Sequence, residues 1–162
     1  MIHSRMRRLL GALTALFFAL SLAGCAAKSV TAQAGETVST VLFDFTVSDQ
    51  ETLDSYPGID IPDGQKLVRF FLKVSNTSDQ SYTMFGQDFQ IQWGEGDNDF
   101  GTCLEAVDDL MMPHSYQLDP GNSYSGMMLV LVPSDCTQLT VAYQEMKANG
   151  DKATAYFVEV PL

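Results

Sequence analysis

Short segments in which apolar and polar residues alternate recur along this chain, and they limit the folds open to it. A period of two gives a β-strand one apolar and one polar face. Turn residues separate the segments, and no long helical period interrupts them. About seven such strands predict an all-β fold, an antiparallel β-sandwich. The segments lie at residues 41–47, 68–74, 89–93, 127–132, 139–143 and 156–160, with a further short one at 102–104.

Two stretches depart from simple alternation. Residues 127–132 are apolar at every position, which is typical of a strand buried on both faces. Residues 105–112 form the one plausible helical interlude, and it is short. Elsewhere the loops carry Tyr56-Pro57-Gly58, Pro62-Asp63-Gly64 and Asn149-Gly150-Asp151, which predict breaks between strands.

The first residues of the chain have the pattern of a secretory signal peptide. Three arginines precede an almost wholly apolar run at residues 9–22, which is shorter than the roughly 20 residues that a spanning helix needs. Leu22-Ala23-Gly24-Cys25 closes the run and resembles a bacterial lipobox. The resemblance implies cleavage after residue 24 and attachment of fatty acyl chains, palmitate among them, to Cys25. An ordinary secretory signal with an incidental cysteine is the alternative.

This signal predicts how the chain is organised. Residues 1–24 are the signal peptide, residues 25–34 a lipidated flexible tether of small and polar residues, and residues 35–162 one folded domain. Acyl chains contribute about 0.8 kcal/mol per buried methylene, so lipid alone can hold such a domain on a membrane. We therefore expect a lipid-anchored protein on the extracytoplasmic face of the cell membrane.

The charge of the mature chain limits its partners. The chain has 20 acidic and nine basic residues; all of the acidic ones and only six basic ones follow Gly24, so residues 25–162 carry a net charge of −14. Nucleic acid and anionic surfaces are bound through clustered cations. The six cations are widely scattered in the sequence, which argues against a nucleic-acid partner: Lys28, Lys66, Arg69, Lys73, Lys147 and Lys152.

Two cysteines remain besides Cys25. An exported compartment permits Cys103 and Cys136 to pair, and closing that loop would contribute about 3 to 4 kcal/mol in the chain-entropy model. The sequence therefore predicts a disulfide between them. Two buried thiols on neighbouring strands are the alternative, because cysteine is among the most buried residue types.

The order of the turn and strand motifs resembles a known family. The chain is similar to the immunoglobulin-like extracellular domains of unknown function in bacterial lipoproteins, which are grouped with the immunoprotective extracellular immunoglobulin-like superfamily. The resemblance covers residues 35–162 and implies a β-sandwich with no established activity. It rests on Gly35, Gly64-Gln65-Lys66-Leu67-Val68, Asn76, Asp88-Phe89, Asp119-Pro120-Gly121, Gly126 and Val132-Pro133.

An acidic hairpin is the first candidate site. Glu95, Asp97 and Asp99 stand at alternate positions, and loops of oxygen ligands suit Ca²⁺. An EF-hand-type loop starting at Glu95 would however place Phe100 where glycine belongs and Ala106 where a bidentate Glu belongs. We interpret the carboxylates as the polar surface of a solvated hairpin and keep a weak calcium site as the alternative.

Soft ligands and a lone histidine are the other candidates. Met111, Met112, His114, Met127 and Met128 could offer Cu(I) ligands, but adjacent residues of a strand face opposite ways. A hydrolase would have to use His114, with Ser115 as a sequence neighbour only. No nucleophile elbow, phosphate-binding glycine loop or two-histidine metal motif follows Cys25, and no cofactor is predicted.

The sequence thus predicts a non-catalytic binding domain at the membrane, with another protein of the cell envelope as its partner. Trp93 alternates with core residues and is expected to be a core aromatic. A small-ligand or metal-ion sensor that uses the acidic hairpin and residues 105–109 is the alternative class. An exported hydrolase is the third.

Overall fold

The computed structural model describes residues 28–162, so the predicted signal peptide and Cys25 lie outside the described residues. This part of the chain is all-β, as the sequence predicts. Its one helical element is a single 3₁₀ turn, Gly86–Asp88, and no helix within it is long and apolar enough to cross a membrane. The strands are β1 Ser29–Gln33, β2 Thr37–Ser39, β3 Phe43–Leu53, β4 Gln65–Asn76, β5 Tyr82–Phe85, β6 Phe89–Gln92, β7 Phe100–Thr102, β8 Ser115–Leu118, β9 Ser123–Pro133, β10 Gln138–Met146 and β11 Lys152–Pro161.

The strands form two sheets that pack as a sandwich, with a small third pair. One sheet has five strands in the order β1-β11-β10-β6-β7, and the other has four in the order β2-β3-β4-β9. Strands β5 and β8 pair separately. All pairings are antiparallel except that of β1 with β11. The predicted all-β sandwich is therefore confirmed.

The main core fills the space between the two sheets. Phe45 of β3, Phe89 of β6 and Tyr143 of β10 meet edge-on or tilted, with ring centroids 5.3 to 6.5 Å apart. Such arrangements suit the aromatic quadrupole and bury large apolar areas. The inward positions of β4, Val68, Phe70, Leu72 and Val74, are all fully buried, as their alternation predicts.

Two predicted inward residues lie elsewhere. Val41 is 75% exposed, because β3 begins only at Phe43 and a turn precedes it. In that turn Thr40 Oγ1 accepts hydrogen bonds from the amides of Leu42 and Phe43, so the alternation of the strand begins only after it. Trp93 follows the end of β6 and is half-buried at the margin of the core.

The folded part of the chain begins earlier than the sequence predicts. Residues 25–34 were expected to be a tether, but Ser29–Gln33 form β1 and pair in parallel with β11 from Ala155 to Glu159. Four of these five residues are exposed and only Ala32 packs partly against the main core, so the strand is held mainly by backbone hydrogen bonds to its neighbour. At most residues 25–28 remain for a tether.

A second, smaller core covers the outer face of the four-stranded sheet and explains the apolar run of β9. Met128, Val130 and Val132 point into the main core, while Met127 and Leu129 point outward into the second. Residues 105–112, the predicted helical interlude, are not helical and instead lie along β9. Backbone hydrogen bonds hold them there, from Leu104 N to Leu129 O and from Met112 N to Met127 O, both 2.8 Å.

The strand directions give the sandwich two distinct ends. We call the end where β1 begins the proximal end; β11 also begins there, and β10 ends there. The opposite, distal end holds loop 54–64 between β3 and β4 and loop 93–99 between β6 and β7. The proximal and distal ends are common to both sheets. A tight turn at Gly35 joins β1 of one sheet to β2 of the other, and Gly35 N donates a 2.7 Å hydrogen bond to Val47 O of β3.

Candidate functional site

Two loops meet over the outer face of the four-stranded sheet. Loop 54–64 joins β3 to β4, and loop 103–114 joins β7 to β8. The Tyr56 hydroxyl donates a 2.5 Å hydrogen bond to the Asp108 carboxylate, and Gly58 lies against the Val107 side chain. Both loops pack down on the second core through Tyr56, Ile59, Ile61, Leu104 and Met111. The buried sheet face beneath them therefore holds these otherwise irregular segments in place.

A cavity of about 460 Å³ opens beside loop 103–114. Apolar and aromatic side chains form part of its wall, and Asp108 and Asp109 form another part. The ring of Tyr124 in this wall stacks on Tyr116, with centroids 4.6 Å apart, which fixes its orientation. The lining consists of Ala106, Val107, Asp108, Asp109, Met111, Pro113 and Tyr124.

The Asp108 carboxylate is held in its charged form. The hydrogen bond from Tyr56 lowers the pKa of Asp108, with further donation from the Leu110 amide at 2.9 Å. The same bond raises the pKa of the Tyr56 hydroxyl. Asp109 makes no side-chain hydrogen bond within residues 28–162. One carboxylate is thus fixed by the fold, and the other is free to pair with a ligand.

Negative charge and exposed apolar side chains occur together at this cavity and directly beside it. Leu110 is 71% exposed and Val107 is 47% exposed. Loops 54–64 and 103–114 together contain six acidic residues and neither lysine nor arginine. We call this region the acidic–apolar surface; it consists of the cavity, its lining residues Val107, Asp108 and Asp109, and the neighbouring exposed Leu110. The sequence pointed to residues 105–109 only as an ion-sensing alternative and gave no signal for Tyr56 or Tyr124.

Three lysines that are far apart in sequence come together at the proximal end. The Lys28 carbonyl accepts a 2.9 Å hydrogen bond from Ala155 N at the start of β11. Lys152 pairs with Met146 where β10 meets β11, and Lys147 N donates to Asp151 O in the turn between them. The basic residues are therefore not scattered as their sequence positions suggest, since half of those after Cys25 gather at one end.

The predicted hairpin carboxylates stand at the distal end, remote from these lysines. Asp99 accepts a 2.8 Å hydrogen bond from the Gly96 amide, and a Cβ on Gly94 would clash with an Asp99 carboxylate oxygen. Asp99 therefore organises the loop backbone itself. Glu95 and Asp97 are exposed, and residues 28–162 contain no group of three His, Cys, Asp or Glu residues arranged to hold a metal ion.

The structure does not form the predicted disulfide, and both Cys103 and Cys136 are free. Cys103 borders a cavity beside Gly86 and His114, ahead of β6. The Cys136 thiol lies past the other end of β6, where it is 3.9 Å from the Trp93 carbonyl and donates to Gln138 O at 3.1 Å. Strand β6 therefore separates the two thiols. Burial raises the pKa of Cys103 far above its usual range, which suppresses the reactive thiolate.

The candidate copper ligands are divided between the two cores. Met112 and Met128 lie in the main core, whereas Met111 and Met127 lie in the second. The alternation of a strand thus places Met127 and Met128 on opposite faces of the sheet. His114 packs its ring edge against Phe85 at 5.9 Å.

A further cavity, of about 300 Å³, lies between β5 and the end of β10. Glu145 borders it and is buried, but its carboxylate accepts a 3.1 Å hydrogen bond from the Val41 amide. Burial raises the pKa of Asp88 and raises that of Tyr143 to about 12. Because Asp88 also accepts from the Phe85 amide, both carboxylates are occupied in holding turns.

Comparison with known proteins supports the fold alone. No protein-family model and no curated protein sequence matches this chain. Among solved structures it is similar to ycdA, a candidate lipoprotein from Bacillus subtilis, with a TM-score of 0.62 and 16% identity over 77% of this chain and 38% of that one. It thus spans well under half the length of ycdA.

Two further solved structures match this chain over nearly the whole of their own length. The yjhA protein of Bacillus subtilis has a TM-score of 0.59 and 15% identity over 80% of this chain and 99% of that one. An uncharacterised β-sandwich protein from Clostridium difficile has a TM-score of 0.50 and 13% identity over 83% and 95%. The chain therefore shares a β-sandwich fold with these proteins.

Proposed function

We propose that this protein is a lipoprotein of the extracytoplasmic membrane face whose β-sandwich is a non-catalytic binding domain for another envelope protein. Lipid on Cys25 would supply the anchor. The observation that carries the proposal is the position of β1, because it begins at Ser29, only four residues after the lipobox cysteine. An extended chain advances about 3.3 to 3.6 Å per residue, so Ser29 would stand within about 14 Å of the anchored cysteine.

Other features agree with such an anchor. Lys28, Lys147 and Lys152 lie at the end that would face the membrane, so positive charge stands on the side of the anchor. The fold resembles that of ycdA, which is itself a candidate lipoprotein. Together these features support a domain that stands close to the membrane on its proximal end.

A binding role agrees with where the exposed chemistry lies. Rigid strands hold loops 54–64 and 103–114 in one arrangement, and such loops commonly carry recognition. His114, the residue that a hydrolase would need, contacts Phe85 and makes no side-chain hydrogen bond within residues 28–162. We therefore place function on the loop surface and not in a catalytic centre.

Fractionation of cells that express the full chain tests the anchor. The wild type is expected in the membrane and in the detergent phase, and Cys25→Ser is expected in the soluble fraction. Cys103→Ser is the matched control, because it also removes a thiol, and it should remain in the membrane. A Cys25→Ser protein that still partitions with detergent would contradict the lipid anchor.

Mild crosslinking of the lipidated protein in its own cells tests the binding role. We expect one or a few envelope proteins to co-purify with the wild type after detergent extraction. The same proteins should be recovered in smaller amounts with Cys25→Ser, because this variant no longer resides at the membrane. Recovery of the protein free of any partner, with anchoring intact, would refute the binding role.

A further inference from the structure

We infer that the acidic–apolar surface receives a lysine or arginine side chain from a basic segment of the partner protein. The inference rests on the proposed binding function and names the face and the chemistry of its ligand. Asp108 and Asp109 would pair with the cationic head, and the apolar cavity wall would contact the aliphatic stem. Leu110 would contact an apolar neighbour in the partner segment.

The composition of the cavity matches a long basic side chain. Lys and Arg bury their methylene stems on apolar surfaces while the charged head stays with polar groups. Val107, Met111 and Pro113 supply such a surface, and the two aspartates stand in the same lining. The Tyr124 ring, fixed by stacking on Tyr116, can also contact the cation through its face.

The electrostatics of the two loops select for positive charge. No lysine or arginine occurs in loops 54–64 and 103–114, so no cation within them competes for the aspartates. Arg69 on the underlying sheet already pairs with Glu51 and lies over the Phe71 ring at 5.8 Å. The hydrogen bonds from Tyr56 and from the Leu110 amide hold the Asp108 carboxylate in one position, so its charge is already placed before a ligand arrives.

The position of the surface leaves it open to a partner. Loop 54–64 folds back from the distal end, and loop 103–114 runs along β9, the edge strand of the four-stranded sheet. Neither loop belongs to the proximal end, where β1 begins and the lysines gather. A domain anchored by Cys25 would therefore present this surface to the envelope and not to the bilayer.

Site-specific photocrosslinking in the native cells tests the inference. A photoreactive residue replaces Leu110, with Val41 and Phe100 as control positions, since these are 75% and 49% exposed and lie on other faces. We expect a protein adduct of discrete mass at Leu110 and none at the controls. Peptide mapping should place the crosslink within a few residues of a lysine or arginine of the partner.

Charge variants complete the experiment. The Leu110 adduct should fall about tenfold in Asp108→Asn/Asp109→Asn, since one lost charge-assisted contact is worth at least that factor. Glu95→Gln/Asp97→Asn removes two charges from the distal hairpin and should leave the adduct unchanged. Equal melting temperatures of the two double variants would exclude unfolding as the cause.

The outcomes separate the inference from the function on which it rests. Adducts only at Val41 or Phe100, or a crosslinked segment without basic residues, would overturn this surface while leaving a protein-binding domain. An equal loss in both double variants would show a general charge effect and would also overturn it. Absence of adducts at all three positions refutes the surface, and the binding function fails only if crosslinked partners are also absent from the wild type.

Discussion

The hydroxyl of Tyr56 and the carboxylate of Asp108 are 2.5 Å apart, although 52 positions separate the two residues in the sequence. This bond joins loop 54–64 to loop 103–114 above the second core. It lowers the pKa of Asp108 and raises the pKa of Tyr56. The surface that we assign to partner binding therefore depends on an interaction between two loops.

Tyr56→Phe should release Asp108 toward its ordinary pKa. Folding lowers the pKa of Asp108, so its hydrogen bond stabilises the folded state fully at pH values above the unfolded pKa of about 4. That stabilisation is lost as the pH falls through the lowered pKa of the folded state. Folding raises the pKa of Tyr56, so the stabilisation that its hydroxyl contributes is lost only as the pH rises through a folded-state pKa above about 10. An NMR titration of Asp108 in wild type and variant measures the change. Identical titration curves would show that the bond does not exist in solution.

Leu129→Ala should destabilise the domain although Leu129 lies on the outer face of its sheet. Leu129 is fully buried in the second core, and truncation of such a residue costs about 2 to 5 kcal/mol of unfolding free energy. Val41→Ala, at a 75% exposed position, should change the unfolding free energy by less than about 0.5 kcal/mol. Urea unfolding of both variants measures the difference. Similar small changes would mean that the loops do not cover the sheet.

Gly126→Ala should disturb the contact between β9 and residues 103–114. A Cβ at this position would lie 2.8 Å from the Met112 Cα and 2.9 Å from its amide nitrogen, so backbone would have to move. We expect a loss of about 1 to 3 kcal/mol and a melting temperature lower by several degrees. Gly86→Ala is the control, because its Cβ would meet only Pro113 O at 3.6 Å. Equal melting temperatures would contradict the close approach.

Calcium should have no specific effect on stability, because Asp99 already bonds to the loop backbone. Asp99→Ala is expected to cost about 0.5 to 1.5 kcal/mol through the lost hydrogen bond. Millimolar Ca²⁺ should shift the melting temperature of the wild type no more than an equal ionic strength of NaCl does. A calcium-specific rise that Asp97→Asn abolishes would instead support an ion sensor.

The sequence determined the fold class and the principal strands. Side chains alternate along a strand with a period of two, so the inward set of β4 could be identified from sequence alone. The apolar run at Met127 and Met128 likewise indicated a strand covered on both faces. Such patterns survive in the sequence because each depends on residues a few positions apart.

Only the tertiary structure decided the start of the folded part, the course of residues 105–112 and the grouping of functional side chains. Strand β1 is short, small in its side chains and mostly exposed, and its hydrogen bonds come from β11 more than a hundred residues later. Residues 105–112 lie alongside β9, because hydrogen bonds to its backbone and burial on its outer face stabilise them more than a short isolated helix would. The meeting of Tyr56 with Asp108, the lysines at the proximal end and the separation of the two thiols depend on long-range packing, which no local periodicity records.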